Sequence, residues 1–148
     1  MRRITIESQQ WEVLRTYIKL IRAADTVTSR IHKHLALHRL TFSQFGVLEA
    51  LYSLGDMSQK VLSQKILKSG GNLTMVIDNL CRRGLVERIQ DPGDRRINII
   101  HLTHSGEELM EVVFPLHARA AAGIFSVLND DQLRELGRYL KILGKSNS

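Results

Sequence analysis

Two short β-branched stretches, Val86 to Gln90 and Ile97 to Leu102, flank the turn Asp91-Pro92-Gly93-Asp94-Arg95-Arg96. Pro-Gly between such runs predicts a strand–turn–strand hairpin. The hairpin follows directly on two short apolar-periodic segments separated by Lys68-Ser69-Gly70-Gly71, a break that predicts a turn between helices. This order, helix, turn, helix, hairpin over 58–102, is restrictive. A lone two-stranded hairpin is marginal in water and needs other elements to cover its apolar face. The helices supply that cover, while Arg95 and Arg96 sit just after the tight turn, so that at least one should project from the tip.

The flanking segments are helical. From about Ser8 to Leu37, residues Trp11, Leu14, Ile18, Ile21, Ala24, Val27, Ile31 and Leu35 recur at three- and four-residue steps, and Val13, Tyr17 and Leu20 widen the apolar surface. Thr41 and Gln44 have capping-box spacing ahead of Phe45, Val47, Leu48, Leu51 and Leu54, with Gly55 as the stop. Ser58 can cap a short third helix bearing Val61, Leu62, Ile66 and Leu67. A fourth runs from about Asn72 to Arg83, with Leu73, Val76, Ile77 and Leu80 as its buried stripe and Gly84 after it. Thr103 opens another helix, marked by Leu109, Val112, Val113, Leu116, Ala120, Ile124 and Leu128, with Pro115 expected to kink it. Asn129 and Gln132 cap a last helix carrying Leu133, Leu136, Leu140 and Leu143. The tail after Lys145 is expected to fray.

The fold class is therefore mainly α with a small β-hairpin wing. We read 1–148 as one domain, with a winged helix-turn-helix over 41–102 and dimerisation helices over 8–37 and 103–146. The two helical ends carry more apolar face than one chain can cover, which argues for a homodimer. A two-fold dimer suits a palindromic double-stranded DNA site with half-sites about one helical turn apart.

Composition agrees. With 43% hydrophobic residues over 148 positions the chain can bury a core. A net charge of +6 favours an anionic partner, and double-stranded DNA is the usual one. One cysteine, Cys81, rules out an intrachain disulfide and fits a reducing compartment. No apolar run reaches membrane-spanning length, and Met1 to Glu7 lacks the apolar stretch of a secretory signal. We expect a cytoplasmic protein with no membrane partner. There is no Gly-rich phosphate loop, no recognisable metal set and no nucleophile in a catalytic setting, so neither an enzyme nor a cofactor is expected.

In a winged helix-turn-helix one helix enters the major groove and the wing tip reaches a neighbouring minor groove. Asn72, Thr74, Met75 and Asp78 occupy the end of the fourth helix that would meet base edges. Asn can read adenine, and Thr or Met can touch a thymine methyl. Gly70 and Gly71 would let the backbone approach phosphates at the helix N-terminus. The bland alternative is an amphipathic core helix with a solvated face. Arg82 and Arg83 either contact phosphates or favour the negative end of the helix dipole. In the wing, Arg95 and Arg96 suit the narrow minor groove of A·T-rich DNA. Asp94 adds negative charge there unless it pairs with an arginine and fixes its direction. The alternative is an inert surface ion pair.

These residues resemble the MarR family of dimeric winged-helix transcription regulators. The resemblance is densest from Asn72 to Arg88, then at Asp91 to Arg96 and Leu102-Thr-His-Ser-Gly106. The family's Asp-x-Arg wing pattern falls on Asp94 and Arg96. The resemblance implies that Arg96 enters the minor groove, that Asp94 orients it, and that the first and last two helices form the dimer. It further implies repression relieved by a small phenolic or quinone-like ligand. That ligand would lie between dimer helices and winged domain, with Trp11, Tyr17, Ile21, Phe45, Leu48 and Leu116 as candidate lining. The alternative is control by cysteine oxidation, or no effector at all. Cys81 lies in the fourth helix rather than near the start of the first, so an inert packed thiol is preferred. His34 and His38 are one turn apart and could share a metal, but no carboxylate or thiol completes a set, and His32, His34 and His38 are read as surface residues. His101, His104 and His117 show no ligand-like spacing.

Overall fold

A computed structural model describes residues 7–66 and 72–145. The expected turn glycines Gly70 and Gly71, with Leu67 and the tail after Lys145, lie outside the described residues. The elements are α1 (Ser8–Leu37), α2 (Phe42–Leu54), β1 (Met57–Ser58), α3 (Gln59–Lys65), α4 (Leu73–Arg82), β2 (Val86–Gln90), β3 (Asn98–Leu102), α5 (His104–Phe125) and α6 (Asp130–Lys145).

Helix starts coincide with side chains able to cap them. Thr41 Oγ1 accepts from the Gln44 amide at 3.1 Å while Gln44 Oε1 accepts from the Thr41 amide at 3.0 Å. Asn129 and Gln132 make the same reciprocal pair at 2.9 and 3.0 Å. Ser58 and Asn72 cap α3 and α4. Gly55 and Gly84 end α2 and α4 with φ of 84° and 69°, conformations that cost glycine little.

The sheet is antiparallel in the order β1-β3-β2. Val86 pairs with Leu102 and Arg88 with Ile100, and Met57 adds a third strand beside Ile100. Sequence reading missed β1, because two residues carry no alternation to detect.

One core joins these elements. Leu35 of α1, Leu48 of α2, Leu62 of α3, Ile77 and Leu80 of α4, Ile100 of β3 and Met110 and Val113 of α5 are all fully buried. Only the C-terminal end of α1 takes part, through Ile31 and Leu35, and α6 buries no residue at all within the single chain. Trp11, Leu14, Tyr17, Ile18 and Ile21 on α1, and Leu133, Tyr139, Leu140 and Leu143 on α6, remain largely exposed. The apolar surplus expected at the two chain ends is thus present and uncovered. Helix α5 runs through Pro115 as one element. No single helix among the described residues is long and apolar enough to cross a membrane.

Candidate nucleic-acid interface

The wing tip is built by two aspartates. Asp91 Oδ1 accepts from the amides of Gly93 at 2.7 Å and Asp94 at 3.0 Å, which closes the turn. Asp94 then grips Arg96. Its Oδ1 accepts from the Arg96 amide and from Nε, and its Oδ2 accepts from a terminal guanidinium nitrogen, each at 3.0 Å. Two parallel charge-assisted bonds leave the guanidinium little freedom to turn. The Arg96 guanidinium holds the Asp94 carboxyl below its ordinary range, and Asp94 raises the arginine in return. Arg96 is nonetheless 90% exposed, so its remaining donors face outward. Arg95 is exposed too.

The N-terminal end of α4 differs from expectation in its polar contacts. Asn72 Oδ1 accepts from the Thr74 amide at 3.0 Å. Paired reading of adenine needs that oxygen, so Asn72 serves first as the helix cap. Thr74 Oγ1 accepts from Gln59 Nε2 at 2.8 Å, tying α4 to α3. Met75 is 64% exposed and unencumbered. Asp78 pairs with Arg88 of β2 at 2.6 Å. Met75, Asp78, Cys81, Arg82 and Arg88 therefore share one shallow surface depression, which joins the outer face of α4 to the root of the wing.

Arg88 was not foreseen. Its signal was available: strand alternation puts it on the face of Val86, opposite buried Ile100, and a charge in an inward register must find a partner. Because Asp78 and Arg88 stay 50% and 29% exposed, the bridge is worth no more than about 1 kcal/mol. Asp78→Ala is expected to lower the urea midpoint only slightly. A loss above about 2 kcal/mol would show that the bridge holds the wing in place.

Arg83, the C-cap residue of α4, also makes contacts that neither reading named. Its guanidinium donates at 2.8 Å to the carbonyl of Arg39, which lies in the left-handed region at φ 56°, and at 3.4 Å to Gln44 Oε1. Gln44 Nε2 donates in turn to Asn79 Oδ1 at 2.8 Å. The corner between α1 and α2 is thereby fastened to the C-terminal half of α4. Arg82 stays exposed. Cys81 is half-buried against the core.

A cavity of about 330 Å³ opens beside this assembly. Phe42, Phe45, Glu49 and Ala50 of α2 form one wall, Lys65 and Ile66 another, and Phe114 and His117 of α5 the third. Of the six residues named from sequence only Phe45 lines it. Leu48 is fully buried in the core instead, because α2 is apolar on nearly every side and its period does not single out one face. Trp11, Ile21 and Leu116 lie off this cavity, and Tyr17 borders a separate groove with Val13, Leu20 and Leu143 of α6.

His32 is exposed, as the surface reading expects, whereas His34 and His38 are half-buried. His34 of α1 and His117 of α5 face each other at 5.7 Å, His38 stands 5.4 Å from His34, and His117 stacks on Phe45 at 4.1 Å. Spacing along the chain could not show this, since the rings come from different helices. Among the described residues no group of three or more His, Cys, Asp or Glu is arranged to hold a metal ion.

The model of the MarR family matches residues 39–97, from the end of α1 to the wing. The transcriptional regulator MhqR of Bacillus subtilis is 34% identical over 131 residues, 88% of this chain and 90% of its own. The chain belongs to the MarR family. It is a DNA-binding transcriptional regulator of that type, and homodimers are typical of the family. Among solved structures, the MarR-family regulator Sco3205 of Streptomyces coelicolor, in complex with DNA, superposes with a TM-score of 0.82 at 22% identity, covering 97% of this chain and 91% of that one. BpsR of Bordetella bronchiseptica, whose DNA binding is regulated by 6-hydroxynicotinic acid, superposes with a TM-score of 0.80 at 25% identity, covering 88% and 99%.

Proposed function

We propose that this MarR-family chain is a repressor that binds a palindromic operator as a homodimer and lets go when a small planar aromatic ligand, phenolic or quinone-like, occupies the cavity beside α5. The observation that carries the reading is the position of that cavity. It is walled by α2, which is bonded to α4 through Gln44 and Asn79, and by α5, whose far end leads to α6. A ligand that spreads these walls shifts α4 in one subunit relative to the other, and two recognition helices must keep one fixed spacing to read two half-sites. BpsR, regulated by a hydroxylated aromatic acid, supports the ligand class.

In the bound state Met75, with Thr74 and Asp78, addresses base edges. Arg82 and Arg88 address phosphates, and Asp94 aims Arg96 into the minor groove with Arg95 beside it. Gly70 and Gly71 remain candidates for backbone approach to phosphates. The exposed apolar faces of α1 and α6 form the dimer contact. At micromolar concentration light scattering is expected to give twice the chain mass of 16.9 kDa; a monomer mass would remove the palindrome argument.

The test is fluorescence anisotropy with duplexes flanking the protein's own gene, scrambled duplex as competitor, and salt varied. Tight binding that survives competitor and falls when phenols or quinones are added supports the reading. Equal weak binding to both duplexes with a steep salt slope would reduce it to phosphate contact. Cys81→Ser is expected to leave any response to peroxide unchanged.

A further inference from the structure

We propose that the His34–His117 pair makes occupancy of the cavity proton-linked: an aromatic carboxylate enters together with one proton, so that it is held more tightly, and the operator is released more readily, at pH 6 than at pH 8. This rests on the cavity being the effector site.

Two facing rings from different helices each carry a buried nitrogen, His34 Nε2 and His117 Nδ1, with no hydrogen-bond partner among the described residues. Buried polar atoms left unpaired are uncommon and costly. His117 lines the cavity together with Phe42, Phe45, Phe114 and Ile66, and His34 stands behind it at 5.7 Å. An imidazolium formed on His117 would set a positive charge against an acceptor bound in the cavity that this residue lines.

Charge counting gives the coupling its sign. The charged groups bordering the cavity are Glu49 on α2 and Lys65 at the end of α3. His34 and His38 stand behind His117 on α1. Burial lowers both His34 and His117 below the ordinary histidine range. His38 lowers His34 further and His34 lowers His117, while Glu49 pulls His117 back up. The pair is thus neutral near pH 7, and Lys65 and Glu49 cancel. A carboxylate entering this neutral pocket brings an uncompensated negative charge. One proton from solvent, taken by the pair, restores balance: carboxylate plus neutral imidazole plus H⁺ gives a carboxylate–imidazolium contact, with no bond made or broken in the ligand. Mutual repulsion of rings 5.7 Å apart limits uptake to one proton.

The free protein carries the same signature. A histidine whose pKa is lower in the folded state stabilises the fold above its unfolded value of 6.5, and that stability is lost as pH falls below it. A falling urea midpoint from pH 7 to pH 5 is expected, less steep in His117→Gln.

The decisive experiment is calorimetry on the full chain with 4-hydroxybenzoate and its neutral isostere 4-hydroxybenzamide. Each is titrated at pH 6.5 in PIPES and in bis-Tris, whose ionisation enthalpies differ, and Kd is then measured from pH 6 to 8. Operator anisotropy is recorded under the same conditions. The acid is expected to take up a sizeable fraction of a proton per chain and to bind at least fivefold tighter at pH 6 than at pH 8. The amide should show neither effect. His34→Gln and His117→Gln should each flatten the profile of the acid. Binding of the acid with no buffer-dependent enthalpy and the same Kd at both pH values would overturn the proton linkage. If operator release still followed, the effector reading would survive it. Failure of both probes to bind or to release the operator would overturn both for this ligand class.

Discussion

Arg96→Ala is expected to weaken operator binding by about 1–3 kcal/mol per half-site, roughly 5- to 150-fold. The argument rests on what holds the side chain rather than on its charge alone. A surface arginine ordinarily sweeps many rotamers and loses that freedom when it docks. Here two bonds from Asp94, with a third to the Arg96 amide, fix the guanidinium before DNA arrives, so little further ordering is needed in the groove. Asp94→Ala separates this account from a simpler one. If Asp94 were only a negative charge near phosphates, its removal would strengthen binding. If it aims Arg96, its removal weakens binding, and the double variant is no worse than Arg96→Ala alone. Anisotropy on one operator at two salt concentrations decides the matter. Loss of one phosphate-neutralising cation should also lower the salt slope by about one. Unchanged affinity in Arg96→Ala at physiological salt would remove the wing from the interface.

The starts of the helices with capping side chains were legible to within a residue. Thr41, Ser58, Thr103 and Asn129 each place an oxygen where the first turn has unpaired amides, and this signal is local. The wing turn was legible for the same reason, as Asp91 and Asp94 act within five residues of chain. What sequence could not give is contact between distant segments. Asp78 with Arg88, Arg83 with the Arg39 carbonyl, and His34 with His117 join positions 10, 44 and 83 residues apart. Periodicity says which face of a helix is buried, not what it is buried against. The α2 residues bordering the cavity illustrate this. Leu48 and Phe45 look alike in the pattern of α2 and both are buried in the core, yet only Phe45 also borders the cavity.

Gly106→Ala is expected to have the largest effect on stability of any glycine-to-alanine change among the described residues, a loss of about 1–3 kcal/mol. Within a helix that substitution normally gains up to about 1 kcal/mol, so the expected sign is opposite to intrinsic propensity. The reason is a close approach. A Cβ at Gly106 would overlap the carbonyl oxygen of Leu85 and stand 2.7 Å from Leu102 Cδ1. Neither can retreat easily. The Leu85 carbonyl accepts from the Thr103 amide at 3.1 Å, and Thr103 Oγ1 donates to the Gly84 carbonyl at 2.6 Å while accepting from the Gly106 amide. Leu102 is buried in register with Val86, the first residue of β2. Helix α5 is thus pressed against the root of the wing where the chain passes from β3 into α5. Gly123, in the same helix, has nothing among the described residues within 4 Å of its would-be Cβ, and Gly123→Ala is the control, expected to be neutral or slightly stabilising. Urea unfolding of both variants tests the packing, and operator anisotropy tests its consequence. If the backbone yields by sliding α5 instead of breaking the Thr103 bond, stability falls less but operator affinity falls with it, because the wing and the dimer helices then no longer share one fixed geometry. Wild-type values for both quantities would mean that this junction does not hold wing and dimer helices together.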